Sequence, residues 1–232
     1  MKYLRKFATE ADVDVTDEPN VVLVAESGAI LYNVKPKGVY VQHIDGILYT
    51  PSKWSARGFA NDEANGVAVL ADECSFVISK ECIPGGTAVW GGYGKSLTNI
   101  TSSQNLSGLL SSYNGEADTA AIISQLTGYT DSEGITGAPA AEACVGFAFP
   151  NGKAGYLPSI GEIMVAAEYL DKINSAMSII EGVALTKAET IFSSSQYNKN
   201  YVWGYWWGNL TGPYFYHKFK PYYVRPFASL NI

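Results

Sequence analysis

The sequence predicts an α+β protein, because its segments indicate strands first, then helices, then strands again. Short apolar segments separated by turn residues occupy the beginning of the chain, apolar residues recur at helical spacing in the middle, and aromatic strands follow Leu185. The 232 residues are enough for one large domain or for a domain with a small appendage. We therefore predict a small β-rich N-terminal module at residues 1–53 and a main domain at residues 54–232.

Two hairpins are predicted in the first 53 residues. Val21–Ala25 and Ala29–Asn33 flank a Glu-Ser-Gly turn, and Val39–Ile44 and Ile47–Thr50 flank an Asp-Gly turn. An Asp-Gly pair between apolar runs is among the strongest short hairpin signals. These strands either form the separate module or open the main domain.

The middle of the chain alternates strands, a loop and helices. Gly, Ser, Thr and Asn are enriched over residues 83–117, which is typical of a long loop. The elements predicted here are strands at Gly66–Leu70, Ser75–Ser79 and Thr87–Trp90, and helices at Asp118–Leu126 and Pro139–Phe147.

The strongest helix signal begins at Ser159. Ser159 and Glu162 have the spacing of a capping box, in which each side chain binds a backbone N–H of the first turn. The apolar residues behind the box share one face of a helix from Ile160 to Ile173, which continues with a break towards Ile180. After it, strands are predicted at Ile191–Ser194, Val202–Trp207, Tyr214–Phe219 and Tyr223–Ala228.

Residues 197–223, which we call the aromatic segment, contain twelve aromatic residues among 27, against 13% in the whole chain. Asn, Gly, Lys and His lie between the rings, whereas a packed core is dominated by Leu, Ile and Val. This mixture is typical of a binding surface, because rings give rigid contact area and Asn and Gly adapt. The alternatives are an oligomer interface and an aromatic core.

Strand alternation divides the aromatic segment. In a strand at Val202–Trp207, the side chains of Trp203, Tyr205 and Trp207 share one face. We expect that face to be core and the face of Gly204 and Trp206 to be displayed.

Charge, histidine and cysteine content exclude several classes of protein. The net charge is −6, so nucleic acid is a poor candidate ligand. His43 and His217 have no metal-ligand spacing, and the aromatic segment has no Asp or Glu, so we expect no metal ion and no cofactor. Cys74, Cys82 and Cys144 are an odd number at irregular spacing; Cys74 and Cys82 can pair, but reduced thiols are expected.

No secretory signal and no run long enough to span a membrane are recognised, so we expect no membrane insertion. The protein then stays in the bacterial cytoplasm where it is made, or leaves by lysis or as part of a virion.

Three motifs resemble one family. Tyr156–Ile163 (YLPSIGEI) resembles the start of the second helix of bacterial C-type-lectin-like domains, Ile191–Ser195 (IFSSS) resembles the strand that follows, and Val224–Phe227 (VRPF) resembles the terminal strand. With the aromatic segment between the last two, the chain is similar to the variable proteins of diversity-generating retroelements carried by phages of gut bacteria. Tyr156 and Ile163 depart from the usual Arg and Trp of the motif.

The resemblance implies a C-type-lectin-like fold and a mutable surface that binds a protein or glycan on a bacterial host, with adhesion or phage receptor binding as the function. A homo-oligomer that adds avidity is implied by the phage analogy. A fixed virion structural protein is the first alternative. A formylglycine-generating-like enzyme is the second, but its late active-site cysteines are missing and no carboxylate lies near His217 in sequence, so we expect no catalysis. The predicted ligand-binding residues are Tyr197, Asn198, Lys199, Asn200, Tyr201, Gly204, Trp206, Asn209, Tyr214, Phe215, Tyr216, His217, Phe219, Lys220, Pro221 and Tyr222.

Overall fold

The computed structural model describes residues 23–24, 30–32, 36–186, 188–208 and 212–230. The strands in these ranges are β1 (Leu23–Val24), β2 (Ile30–Tyr32), β3 (Gly38–His43), β4 (Leu48–Tyr49), β5 (Ala64–Leu70), β6 (Ser75–Ile78), β7 (Thr87–Ala88), β8 (Thr190–Gln196), β9 (Tyr201–Trp206), β10 (Tyr214–His217), β11 (Tyr222–Tyr223) and β12 (Phe227–Ser229). The α-helices are α1 (Pro51–Arg57), α2 (Gly115–Leu126), α3 (Pro139–Gly146), α4 (Ile160–Glu168) and α5 (Leu170–Ile179).

Two five-stranded sheets carry the fold. The first has the strand order β12-β6-β5-β3-β4 and is antiparallel. The second has the order β10-β9-β8-β11-β7 and is mixed, because β11 pairs with β8 in parallel. Helices α2 to α5 follow one another between β7 and β8, and the strands pair mainly antiparallel, so the predicted α+β class is confirmed.

Both predicted N-terminal hairpins form. β1 pairs with β2, with Leu23 opposite Tyr32, and β3 pairs with β4, with Val41 opposite Tyr49. The second hairpin lies inside the first sheet, because β3 also pairs with β5 along its length. This pairing supports the alternative in which β3 and β4 open the main domain. The assignment of residues 1–53 as a unit stays a prediction.

Helices α2, α3 and α4 form where helical spacing and capping chemistry predict helices. The capping box at the start of α4 is present, since Ser159 Oγ accepts from the N–H of Glu162 and the Glu162 carboxylate accepts from the N–H of Ser159. The helix is predicted to run unbroken from Ile160 to Ile173, but it breaks earlier, at Tyr169, whose N–H bonds to the carbonyl of Ala166 at 3.1 Å and which separates α4 from α5. The apolar faces of α4 and α5 join a core with β5 and β6.

Two details of the structure differ from the predicted elements. Trp54, at the predicted start of the main domain, lies in α1, a helix that is not among the predicted elements and whose N-terminus is capped by the Thr50 side chain. The single strand predicted at Tyr223–Ala228 is divided between β11 in the second sheet and β12 in the first. Pro226 interrupts it, because proline has no N–H to donate to a ladder.

Arg225 links separate parts of the chain at this crossing between sheets. Its side chain is 1% exposed, Nε donates to the carbonyl of Ser79 at 2.9 Å, and Nη2 donates to the carbonyl of Val183 at 2.8 Å. Burial lowers the pKa of the guanidinium. The arginine of the VRPF motif is therefore part of the scaffold.

The serines of β8 hold the second sheet in place. Ser193 Oγ donates to the carbonyl of Trp203 at 2.7 Å, and the carbonyl of Ser193 accepts from the indole of Trp90 at 3.0 Å. Ser195 Oγ accepts from the N–H of Ile160, the first residue of α4. The serines of β8, which we call the serine strand, thus connect β9 to the start of α4.

Candidate functional site

The aromatic segment folds mainly as the hairpin of β9 and β10 at one edge of the second sheet. The register places Phe215 opposite Trp203 and His217 opposite Tyr201. Since successive side chains of a strand alternate in direction, these four rings share one face of the hairpin. Tyr216 lies with its partner Val202 on the other face.

On the first face, ring contacts run without interruption from Tyr93 to Trp203. Consecutive centroids lie 4.9 Å apart between Tyr93 and Phe219, 4.9 Å between Phe219 and His217, and 4.3 Å between His217 and Tyr201. The chain of contacts continues at 5.3 Å from Tyr201 to Phe215, 4.5 Å from Phe215 to Tyr197, and 5.2 Å from Tyr197 to Trp203. We call these seven residues the aromatic strip.

Most rings of the aromatic strip are neither core nor fully exposed. Trp203 is 6% exposed, and its indole donates to the carbonyl of Ser103 at 2.9 Å, so it anchors the strip. The other six residues are half-buried. Rings held in this way offer apolar surface in a fixed orientation, so a ligand that docks on them orders little side-chain motion.

The second face carries a group of tyrosines that joins the aromatic strip at one point, where the Tyr214 ring stacks on Phe215 with centroids 4.4 Å apart. Tyr216 lies 4.9 Å from Tyr222 and 6.0 Å from Tyr214 between ring centroids, and Tyr222 packs on Phe192 at 5.1 Å. Tyr214 is 56% exposed, whereas burial raises the pKa of Tyr216 and of Tyr222. The predicted site residues are therefore divided between two faces of one hairpin.

Gly204 is buried beneath Tyr216, so the expectation that its position is displayed is wrong. A Cβ atom at this position would lie 2.7 Å from the carbonyl oxygen of Ile191 and 2.9 Å from Cδ2 of Tyr216. β9 is covered on both faces here, while the sequence pattern assumed one open face. Trp206, on the same side of the strand, is 42% exposed as expected, and Trp203, Tyr205 and Trp207 are buried as the alternation predicts.

The turn between β8 and β9 presents Lys199. The side chain of Asn198 folds this turn, because its Oδ1 accepts from the N–H of Asn200 at 2.8 Å and of Tyr201 at 3.0 Å. The carbonyl of Lys199 accepts from the N–H of Gly94 at 3.0 Å, while the Lys199 side chain is exposed. Asn198 is thus a scaffold residue of the turn as well as a predicted contact.

A second cation follows β10. Lys220 is exposed, its N–H donates to the carbonyl of His217 at 3.2 Å, and its ammonium lies 5.1 Å from the centroid of the Phe219 ring. Pro221 next to it is also exposed. The end of the aromatic strip near Phe219 is therefore positively charged. Asn209, the remaining predicted contact, lies outside the described residues.

Lys218 was missed by sequence reasoning. Its side chain is 0% exposed, and Nζ donates to Gln196 Oε1 at 2.8 Å and to the carbonyl of Lys95 at 3.0 Å. The amine also lies 4.6 Å from the centroid of the Trp90 ring. Burial lowers the pKa of Lys218 to about 7. Lys218 fixes the end of β10 to β8, and no local sequence signal distinguishes it from the exposed Lys220.

Tyr93 was also missed, because it lies far from the aromatic segment in sequence. Its N–H donates to the buried carboxylate of Asp131 at 2.9 Å, which holds the loop that carries the ring. Asp131 Oδ1 also accepts from the N–H groups of Glu133 and Ile135. The hydrogen-bonding capacity of this carboxylate is therefore used by backbone donors of the loop.

Burial governs the chemistry of the thiols. Burial raises the pKa of Cys74 to about 12, raises that of Cys82, and raises that of the fully buried Cys144 still further. All three cysteines are unpaired. Within the described residues, no group of three His, Cys, Asp or Glu side chains is placed to hold a metal ion. A membrane-crossing helix needs a long apolar run, and none of the helices in the described part of the chain has one.

A groove of about 500 Å³ lies away from the aromatic strip, between the starts of α2 and α4. Its lining includes Tyr156 and Glu162, and the Tyr156 hydroxyl donates to Glu162 Oε1 at 2.8 Å. Burial raises the pKa of both groups. Since the other oxygen of Glu162 serves the capping box, this pair is explained by the scaffold.

Comparison with known proteins gives one informative likeness. No family model matches the chain, and no curated protein matches it either. Among solved structures, a fimbrial protein from Bacteroides ovatus is similar, with a TM-score of 0.53 and 15% sequence identity. The likeness covers 89% of this chain and 51% of that one, so the chain spans about half the length of its structural neighbour. At this identity, the likeness shows a shared fold.

Proposed function

We propose that this chain is an adhesive, ligand-binding protein and that the hairpin of β9 and β10 carries its binding surface. The observation that carries the proposal is the aromatic strip, a continuous row of half-buried rings at a sheet edge. A core would bury such rings fully, and an ordinary surface would not place them in contact with one another. Ligand groups that stack on the strip gain apolar contact, while Asn200 and the tyrosine hydroxyls supply hydrogen bonds.

The ligand is proposed to be a protein or glycan on the surface of a bacterial host. The description of the structural neighbour as a fimbrial protein supports a role at a cell surface, and the fold is compatible with that role. Because Lys199 and Lys220 are both exposed in the aromatic segment of an otherwise acidic protein, the surface favours ligands with anionic groups.

The finer assignment remains part of the proposal: a C-type-lectin-like variable protein of a diversity-generating retroelement, carried by a gut-bacterial phage and associated with its virion. The capping box of α4, the serine strand β8 and the buried Arg225 support it, because the three motifs behind the resemblance all serve the scaffold. The displayed rings lie between those motifs in the chain. Diversification by mutation requires that the residues that vary on the surface are different from the residues that stabilise the fold.

Binding without catalysis is part of the same proposal. The three thiols have raised pKa values, which disfavours the thiolate that a cysteine nucleophile needs. His217 lies between the rings of Tyr201 and Phe219, and its buried Nδ1 has no hydrogen-bond partner among the described residues. A general base needs a group that orients its second nitrogen, so the surroundings of His217 favour a contact role.

The proposal is tested by measuring how labelled protein binds to intact cells from a panel of gut bacteria. Tyr201→Ser and Tyr214→Ser alter one ring on each face of the hairpin, and Val145→Ser alters an apolar side chain that is 45% exposed outside the segment. We expect at least one tyrosine variant to lose about tenfold in affinity and the valine variant to bind as the wild type does. Equal binding by all four proteins contradicts the proposal.

The retroelement assignment has a separate test, which is deep sequencing of the gene across a natural population of its carrier. We expect substitutions to be confined to codons 197–223, to correspond to adenines of the template, and to spare Gly204 and Lys218. Variation scattered over the gene, or none, contradicts the assignment and favours a fixed adhesin or virion structural protein.

A further inference from the structure

β10 is the outer strand of the second sheet, so one side of its backbone has no neighbouring strand among the described residues. The N–H of Lys218 donates to the carbonyl of Asn200 at 3.1 Å, which fixes the phase of the hydrogen-bond ladder between β9 and β10. In an antiparallel ladder, alternate residues form backbone hydrogen bonds with the partner strand. Tyr214 and Tyr216 therefore bond to β9. The backbone groups of Phe215 and His217 point away from β9.

Three backbone groups therefore face outward from this edge. They are the N–H and carbonyl of Phe215 and the N–H of His217, and none of them has a partner in the described part of the chain. The carbonyl of His217 already accepts from the N–H of Lys220 at 3.2 Å. Unpaired ladder groups in this geometry recognise the main chain of an extended peptide.

The side chains of β10 place aromatic rings on both faces of the hairpin, next to the outward backbone groups. Phe215 and His217 belong to the aromatic strip, and Tyr214 and Tyr216 belong to the group of tyrosines on the opposite face. A strand added to β10 would direct successive side chains alternately to these two faces. Apolar side chains of the added strand would then contact rings in either direction.

Charge favours a foreign peptide over a second copy of this chain. Lys199 and Lys220 are exposed near the end of β10, and the aromatic segment contains no Asp or Glu. A second β10 paired with the first would bring no carboxylate from its own segment to these lysines. A peptide with an acidic residue at the corresponding end supplies one.

We propose that the edge of β10 binds an extended peptide segment of a partner protein by strand addition, with apolar side chains against both ring clusters and an acidic residue beside Lys199 and Lys220. The proposal rests on the proposed function and narrows its ligand to a protein. It also explains how the surface can change its specificity. The backbone hydrogen bonds keep a basal affinity whatever side chains occupy β10, and the rings select among sequences.

The experiment uses a displayed library of random ten-residue peptides as the probe and the full chain as the target. Selected peptides are synthesised, and their Kd values are measured for the wild type, Phe215→Ala and Phe215→Pro. Alanine removes the ring and keeps the outward N–H, whereas proline removes both. Proline is tolerated at a strand edge where its missing N–H would face solvent. Thermal unfolding of both variants shows whether each is folded.

We expect selected peptides to be enriched in acidic residues at one end and to bind the proline variant about tenfold more weakly than the alanine variant. Amide exchange gives an independent readout that needs no variant. The N–H groups of Phe215 and His217 should become protected when the peptide binds, and the N–H of Tyr216, which faces β9, serves as the internal control.

Other outcomes overturn the strand-addition proposal and leave the proposed function to its own test. Equal Kd values for the two folded variants, without new protection at Phe215 and His217, mean that the rings bind without the backbone. Failure to select any peptide, while cells are still bound through the tyrosines, means that the ligand is not an extended peptide. A dimer in sedimentation that Phe215→Pro dissociates and Phe215→Ala does not means that the occupant is a second copy.

Discussion

The ring of Tyr216 lies across Gly204, so that a Cβ atom on this glycine would lie 2.9 Å from Cδ2 of the tyrosine. The carbonyl oxygen of Ile191 closes the other side at 2.7 Å. Since the second neighbour is backbone, it cannot move away as a side chain can. Gly204 is therefore required for the close approach of β8, β9 and Tyr216.

Gly204→Ala should lower the free energy of unfolding by about 1–3 kcal/mol, because it overpacks a filled space. Chemical denaturation measures this change. Gly146→Ala is the matched control, since a Cβ atom at Gly146 would meet nothing within 4 Å, and its stability should be unchanged or slightly higher. Wild-type stability for Gly204→Ala would show that the hairpin is looser than the contact distances indicate.

Truncating single aromatic rings should distinguish residues exposed for binding from residues that stabilise the fold. Trp203 is 6% exposed and Tyr214 is 56% exposed. We expect Trp203→Ala to cost about 3–5 kcal/mol of unfolding free energy, and Tyr214→Ala to cost less than about 1 kcal/mol. Denaturant midpoints of the two variants provide the comparison. Similar losses at both positions would place Tyr214 in the scaffold and contradict its role as a display position.

Lys218 should make the free energy of unfolding depend on pH between about 7 and 10.5. Burial lowers its pKa from 10.5 to about 7 in the folded protein, so the unfolded chain binds more protons between these two values. Stability contributed by this site is therefore present above the unfolded pKa and is lost as the pH falls from about 10.5 to 7. A lowering of this size corresponds to a cost on the order of 5 kcal/mol at neutral pH.

Lys218→Met tests this dependence, because methionine keeps most of the volume and carries no charge. The stability of the variant relative to the wild type should rise as the pH is lowered from 10.5 to 7 and then level off. The difference between the two proteins cancels the titration of the tyrosines. The neutral amine has two hydrogens for its two acceptors, Gln196 and the carbonyl of Lys95, so both bonds survive deprotonation. A difference that is independent of pH would show that Lys218 keeps an ordinary pKa.

Replacement of Arg225 should destabilise the protein even when the new residue is lysine. A lysine ammonium at this position cannot reach the carbonyls of Ser79 and Val183 with the spread of a guanidinium. Hydrogen bonds to charged groups contribute about 1.5–3 kcal/mol each, so Arg225→Lys should cost about 3 kcal/mol or more. Thermal unfolding measures the loss, and Lys37→Met, which removes an exposed partner of Asp72, is the control without effect. Unchanged stability in Arg225→Lys would contradict a structural role for the VRPF motif.

Sequence reasoning succeeded where the deciding contacts are local. The capping box of Ser159 and Glu162 spans three residues, and the alternation that buries Trp203 spans one strand. It failed where the contacts are distant. Gly204 is covered by a ring from the next strand, and Lys218 is buried only because Gln196 and Trp90 meet it in the folded chain. Both residues resemble display positions when only their neighbours in sequence are considered.

The pairing of β12 with β6 has a consequence for synthesis on the ribosome. Phe227 lies opposite Ile78, so the outer strand of the first sheet is supplied by a segment that is translated about 150 residues after β6. Until Phe227 has left the exit tunnel, the nascent chain holds β6 with an unpaired edge and Phe76 without its stacking partner Phe227. An unpaired strand edge of this kind can pair with other chains, so a stop codon between β6 and β12 should yield a product with an exposed strand rather than a smaller folded protein.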